Sequence, residues 1–184
     1  LAFLRVHADE YGIDPDRIVL FGYSAGAYIA NLLGVAIGTP GIEADCAAGL
    51  TGPPRAVISG SGPTDLRLFD DAFLVVKFMG GTAAEKPALY DLASTVAHVK
   101  PGDPPFLFVQ GDADSFVPVK SSLIMRDALL GVGTDARMLK LAGGGHLLNA
   151  SDSDPADVAF GLSTDTPEAW IAIADFLERT VGRP

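Results

Sequence analysis

The amino-acid sequence predicts an α/β domain, a mostly parallel sheet with helices on both faces. Three observations carry that prediction. A near-continuous apolar run, Ile18-Val19-Leu20-Phe21, is followed at once by the helix-like spacing of Ile29, Leu32 and Leu33. A second run, Phe106 to Gln110, leads through a polar turn into another helical stretch. The first run lacks the alternation of a half-exposed strand and suits one covered on both faces.

Taken in order, Leu1, Leu4, Ala8 and Tyr11 fall at helical spacing, and Gly12 stands where a helix ends. "DPD" (14–16) signals a turn, and Arg17–Phe21 is the first strand. The helix after Ser24 is expected to run to about Leu33. Residues 38–55, rich in Gly and Pro, read as a loop, Ala56–Ser59 as a short strand and Gly62-Pro63 as a turn. Residues 66–104 are irregular, with helical pieces near 70–78 and 87–93, and are expected to form a substrate-side wall within the domain. Pro118 suits the first position of a helix ending about Leu130. Arg137–Leu141 reads as a further strand, and Gly143-Gly144-Gly145-His146 follows it. The last helix is expected to be capped at Thr166 with Pro167 next, presenting Trp170, Ala174, Leu177 and Val181 on one face. No internal repeat or second-domain boundary interrupts residues 1–184.

Composition narrows the function classes. Among 184 residues, 48% are hydrophobic and 20% charged, the balance of a globular domain. The 23 acidic against 13 basic side chains leave a net charge of -10, which carries no electrostatic footprint for nucleic acid or anionic membrane surfaces. Mean hydropathy is high, at +0.31, but the longest weakly polar stretch, "AYIANLLGVAIG" (27–38), is short and contains Asn31. It fits a buried helix better than a membrane span. Cys46 is the sole cysteine, so no internal disulfide forms. Three scattered histidines and one cysteine make no ligand cluster at metal spacing, and neither metal nor other cofactor is expected.

The chemistry concentrates at the strand ends. Gly22-Tyr23-Ser24-Ala25-Gly26 is a G-x-S-x-G turn between a strand and a helix, the setting of a nucleophile elbow. Gly22 and Gly26 would let strand and helix approach closely, and the Ala25 N–H at the helix start would face a developing oxyanion. A serine hydroxyl needs a base to take its proton, and that base needs orienting. The elbow fold runs in the order serine, acid, histidine. His7 precedes the elbow and reads as a surface or boundary residue; His98 precedes the best strand-end acids. His146, on a loop leaving a strand, satisfies the order. For the acid, the turn after Gln110 offers Asp112 and Asp114, and spacing alone does not choose between them. Asp103 stands before the strand, at the wrong end of the sheet, and Asp152 and Asp154 follow the histidine.

"DPDRIVLFGYSAGAYIANLLG", "SGSGPTDL", "DPPFLFVQGDADSFVPVKSS" and "LAGGGH" together resemble the esterase/lipase branch of the α/β-hydrolases, most nearly the bacterial feruloyl- and acetyl-xylan-esterase-like enzymes. The resemblance covers nearly the whole chain, in the family's order. It implies an α/β-hydrolase fold and a serine carboxylic-ester hydrolase acting through an acyl-enzyme on a small or aromatic acyl ester. Ser24 would be the nucleophile and His146 the base. The family's spacing to Val117-Pro118 selects Asp114 as the acid. The family often carries histidine where this sequence has Gln110, a position outside the triad. Two other readings compete. One is an amidase, formamidase or serine peptidase on the same fold. Ala25 and Ala27 depart from the prolyl-oligopeptidase pattern, while "SAG" is shared with the formamidase type. The other is a non-catalytic or truncated relative, against which the intact Ser24, Asp114 and His146 argue.

The family's upstream His-Gly-Gly motif, source of a second oxyanion donor, is not found in this chain. In that fold the strand before the elbow is central, whereas here Arg17–Phe21 is the first. Residues 1–184 are therefore expected to be a partial catalytic domain, with roughly 60 or more residues upstream of it. The isolated chain is expected to self-associate through that apolar edge and to be nearly inactive.

Overall fold

The chain opens with two short helices, α1 (Ala2–Val6) and α2 (Ala8–Tyr11), which Gly12 ends at a left-handed φ of 64°. Strand β1 (Val19–Tyr23) then turns sharply into α3 (Ala25–Val35), which returns the chain to β2 (Ala56–Gly60). Two short helices, α4 (Phe73–Met79) and α5 (Pro87–Ala93), lie between β2 and β3 (Phe106–Gly111). Helix α6 (Lys120–Gly131) leads to β4 (Ala136–Leu141), and α7 (Pro167–Val181) closes the order. In this computed structural model the described residues are 1–42, 52–69, 71–146, 148 and 166–182. Cys46, Asp152 and Asp154 lie outside them.

The four strands are parallel and lie in chain order, β1-β2-β3-β4, with Val19 opposite Ala56, Val57 opposite Phe106 and Phe106 opposite Ala136. Successive side chains on a strand point to opposite faces, so each buried strand feeds two cores. Val57, Phe106 and Phe108 face α3 and α6, packing with Ala30, Val35, Met125 and Leu129. Ala56, Ile58, Leu107 and Val109 face α7, packing with Ala169, Ile173 and Phe176. The result is a parallel sheet between helical layers. Covering both faces is what such a sheet requires. Its strands end together at Tyr23, Gly60, Gly111 and Leu141, the edge where open α/β sheets hold their ligands.

Local departures from the sequence reading have identifiable causes. Helix α7 starts at Pro167 behind an N-cap at Thr166, but its buried stripe is Ala169, Ile173, Phe176 and Thr180. Trp170 (43% exposed) and Ala174 face outward, one residue away from the expected face. Thr180 is tolerated inside because its hydroxyl donates to the Phe176 carbonyl at 2.8 Å. Helix α3 likewise turns Ile29 (57% exposed) outward and buries Ala27, Tyr28, Ala30, Asn31, Gly34 and Val35. Gly34 is set against the sheet so closely that a Cβ would come within 2.7 Å of the Phe106 ring. Of the expected stripe Leu1, Leu4, Ala8 and Tyr11, only Ala8 is buried. Pro118 precedes α6 instead of starting it; its carbonyl accepts from the Ser121 N–H at 2.8 Å. Strand β1 extends to Tyr23, and among the described residues it pairs with β2 alone. No helix among the described residues is long and apolar enough to cross a membrane.

Candidate active site

Ser24 sits between β1 and α3 with φ 53° and ψ −120°, outside the regions L-residues favour and costing about 1–3 kcal/mol. Two bonds hold it there: its N–H donates to the Gly60 carbonyl at 2.8 Å, and its carbonyl accepts from Tyr28 N–H at 3.0 Å. Gly22 permits the turn, because a Cβ at that position would overlap the Gly26 carbonyl oxygen. Gly26 is different. A Cβ there meets nothing within 4 Å among the described residues, so its own lack of a side chain does not make the close approach. The Ala25 N–H opens α3, at the positive end of the helix and beside the serine.

A second crowded turn brings in His146. Gly111 ends β3 where a Cβ would overlap the carbonyl oxygens of Gly144 and Gly145. Ala113 N–H donates to Gly144 O at 2.9 Å, and Asp112 accepts from the Gly143 N–H at 2.7 Å. The glycine loop after β4 is thus fastened onto the turn after β3. Gly143 takes a left-handed φ of 69° to make that bend. The Tyr23 hydroxyl donates to the His146 carbonyl, and the rings of Tyr23 and Phe116 flank the imidazole with centroids 5.4 Å from it.

These turns bring Ser24, Asp114 and His146 together. Ser24 Oγ lies 3.0 Å from His146 Nε2, and His146 Nδ1 lies 2.9 Å from Asp114 Oδ2. A carboxylate only accepts, so the imidazole proton sits on Nδ1 and the Nε2 lone pair faces the serine hydroxyl. The Asp114 side chain is fully buried and that of His146 is 16% exposed. Four donors satisfy the buried carboxylate: Phe116 N–H (2.9 Å) and Val117 N–H (2.8 Å) on Oδ1, Gln110 Nε2 (2.8 Å) and His146 on Oδ2. Among the described residues no lysine or arginine pairs with it. Asp112, two residues away, is exposed and turned to Gly143.

The other candidates lie elsewhere. His7 contacts Glu10 at 3.0 Å on the surface, and His98 Nε2 contacts the Leu92 carbonyl at 2.7 Å. Asp103 lies ahead of β3 and accepts from Lys100 N–H at 2.8 Å. Beside Ala25 opens an apolar cavity of about 240 Å³, lined by Tyr28 of α3, Leu66, and Leu74, Val75 and Phe78 of α4. The Tyr28 hydroxyl is engaged by the Ala93 carbonyl at 2.9 Å, and burial pushes its pKa up. Two contributors carried little signal in the sequence. Gly111 looks like any turn glycine, and Gln110 is marked only as a polar residue at the end of an apolar strand, where the resembled family often has histidine.

The structure is similar to a truncated carbohydrate esterase from gut microbiota, with TM-score 0.71 and 23% identity over 99% of this chain and 66% of that one. It is equally similar to apo esterase 2 of Thermogutta terrifontis, with TM-score 0.72 and 21% identity over the whole of this chain and 63% of the other. The fold is the α/β-hydrolase fold. In sequence, the chain is 26% identical over 190 residues to the esterase LipQ of Mycobacterium tuberculosis, and it spans 42% of that protein's length. The BD-FAE family model matches residues 1–129, a span that includes Ser24 and Asp114, and the chain belongs to the BD-FAE family.

Proposed function

We propose that the protein is a serine carboxylic-ester hydrolase working through an acyl-enzyme on esters with a small apolar acyl group, aliphatic or aromatic. The observation that carries this reading is the unbroken chain from Ser24 Oγ through His146 to Asp114, at 3.0 and 2.9 Å, on a strained turn at a helix N-terminus. Ser24 Oγ attacks the ester carbonyl carbon while His146 Nε2 takes its proton. The carbonyl oxygen becomes an oxyanion that the Ala25 N–H stabilises. His146 returns the proton to the alcohol oxygen as the C–O bond breaks, leaving Ser24 acylated. Water, deprotonated by the same Nε2, then attacks the acyl carbon; the bond to Ser24 Oγ breaks, that oxygen takes the proton back from Nε2, and the acid is released. Asp114 holds the imidazole in the required tautomer throughout.

The apolar cavity supports the choice of acyl group. The departing alcohol must reach His146 Nε2 for its proton, so it lies toward Tyr23 and Phe116. That leaves the acyl side for Ala25, Tyr28 and the α4 residues Leu74, Val75 and Phe78. A volume of about 240 Å³ is below the roughly 300–1,000 Å³ of pockets that enclose drug-sized ligands. An oxyanion-hole donor typically contributes about 100- to 1,000-fold to kcat, the role the Ala25 N–H would play here. Covalent labelling by a fluorophosphonate tests the reading without needing turnover. Mass spectrometry is expected to map the label to Ser24, and Ser24→Ala to abolish it. On activated esters, butyryl and benzoyl groups are expected to outrun dodecanoyl and succinyl groups. Labelling that survives Ser24→Ala would overturn the proposal.

A further inference from the structure

We propose that Gln110 is a positioning residue for the active-site carboxylate: its buried amide sets the plane of Asp114, and Ser122 in turn sets the amide. The inference rests on the hydrolase reading of the site, but one readout of its test, the His146 proton signal, does not. The alternation of β3 places Gln110 on the same face as Phe106 and Phe108, toward α6, where it is fully buried. A buried amide needs partners for its donors and its acceptor. Gln110 has them all. Nε2 donates to Asp114 Oδ2 and to the Val117 carbonyl, each at 2.8 Å, and Oε1 accepts from the Ser122 hydroxyl at 2.8 Å. Turning the amide over would set its oxygen against a carboxylate and a carbonyl, two acceptors, so the surroundings admit one orientation.

The same geometry explains why this amide matters to His146. The Phe116 and Val117 N–H groups hold Asp114 by Oδ1. The terminal torsion of an aspartate is broad, so one anchored oxygen leaves the other free to swing. Gln110 anchors Oδ2, the oxygen that meets His146 Nδ1 at 2.9 Å. Each oxygen is then fixed, and the carboxylate plane with them. A neutral donor also leaves the carboxylate its full charge, which an imidazolium forming during acyl transfer needs. Among the described residues, two other titratable groups stand near the pair: Asp112, exposed and bonded to Gly143 N–H, and Tyr23 of β1, whose hydroxyl donates to the His146 carbonyl. Neither reaches Asp114 Oδ2.

The test uses the full chain and three variants, Gln110→Met, Gln110→Glu and Ser122→Ala. Gln110→Met keeps length and apolar stem but removes the donor. Misplacement of a reacting group by about 1 Å costs on the order of 100-fold, so kcat is expected to fall about 10- to 100-fold with KM unchanged. The downfield proton NMR signal of the His146 Nδ1–H bonded to Asp114 is expected to broaden or vanish. Ser122→Ala is expected to do the same more weakly. In Gln110→Glu the new carboxyl donates to Asp114 only while protonated, so its activity is expected to fall as pH rises, unlike that of the parent. Should Gln110→Met fail to fold, the other two variants decide the matter by the same signal and the same pH profile. An unchanged Nδ1–H signal with an unchanged kcat overturns the proposal, as does a loss that follows folded fraction alone. A chain that shows the signal, loses it in Gln110→Met and yet never labels at Ser24 would sink the hydrolase reading and leave the positioning role standing.

Discussion

Asp112 and Asp114 stand two residues apart on one turn, and nothing in their immediate sequence tells which of them meets His146. Their surroundings do. Asp114 is buried with both oxygens taken by donors, one of them His146, whereas Asp112 is exposed and holds the glycine loop through the Gly143 N–H. Asp114→Asn is therefore expected to lower kcat on the order of 10³- to 10⁴-fold, because an amide in place of Oδ2 favours the wrong imidazole tautomer. Asp112→Asn keeps the oxygen that accepts from Gly143 and is expected to retain most of the rate. Measuring both on one activated ester checks the pair, and the reverse ranking would transfer the role to Asp112. Ser24 and His146 were legible from a strand-turn-helix setting and from chain order. Asp114 is selected over Asp112 by resemblance alone, since burial, the property that sets it apart, is not written locally.

Among the elements, the wall between β2 and β3 has its own anchor. Asp65, buried just before the 3₁₀ turn Leu66–Phe69, accepts from Arg67 Nε at 2.8 Å, Arg67 Nη2 at 2.9 Å and the Ser94 hydroxyl at 3.1 Å. Arg67 also reaches Asp91 of α5 at 2.9 Å, so one guanidinium ties the turn to the helix behind the apolar cavity. Burial pushes the Asp65 pKa up, but the hydrogen bonds and charge of Arg67, with Ser94, outweigh it and hold the carboxyl below its ordinary 3.8. A group with a lowered folded-state pKa adds stability above its unfolded value, and that stability is lost as pH falls through the folded one. Asp65→Asn is thus expected to lower Tm at neutral pH, by an amount equivalent to about 1–2 kcal/mol once screening of the partly exposed Arg67 is allowed for. The gap to the parent is expected to close as pH drops below 3.8, in melts followed by circular dichroism. A gap independent of pH would remove the ion pair as its cause. The helix faces were less legible than the helices themselves. Both α3 and α7 carry apolar residues on more than one side, and tertiary contact chose the stripe.

At the scale of the whole molecule, β1 presents a row of backbone groups with no strand partner among the described residues, and Phe21 on it is 53% exposed. An apolar open edge is a template for pairing with another chain. The net charge of -10 opposes that association and is screened by salt. The 184-residue chain is expected to self-associate increasingly as salt is raised, and Phe21→Lys to reduce this, in light scattering coupled to size exclusion. A monodisperse monomer at every salt concentration would refute it. What the sequence determined by itself was the alternation of strand and helix, the elbow at Ser24 and the order that singled out His146. Those features are written in short stretches, because apolar period, glycine spacing and turn chemistry report local backbone geometry. Which face of α7 is buried, that Gly22 and Gly111 rather than Gly26 mark the close approaches, and that Gln110 stands behind Asp114 were decided only in the tertiary structure. Burial and pairing depend on which element comes to lie against which, and residues far apart in the chain share no local pattern that records it.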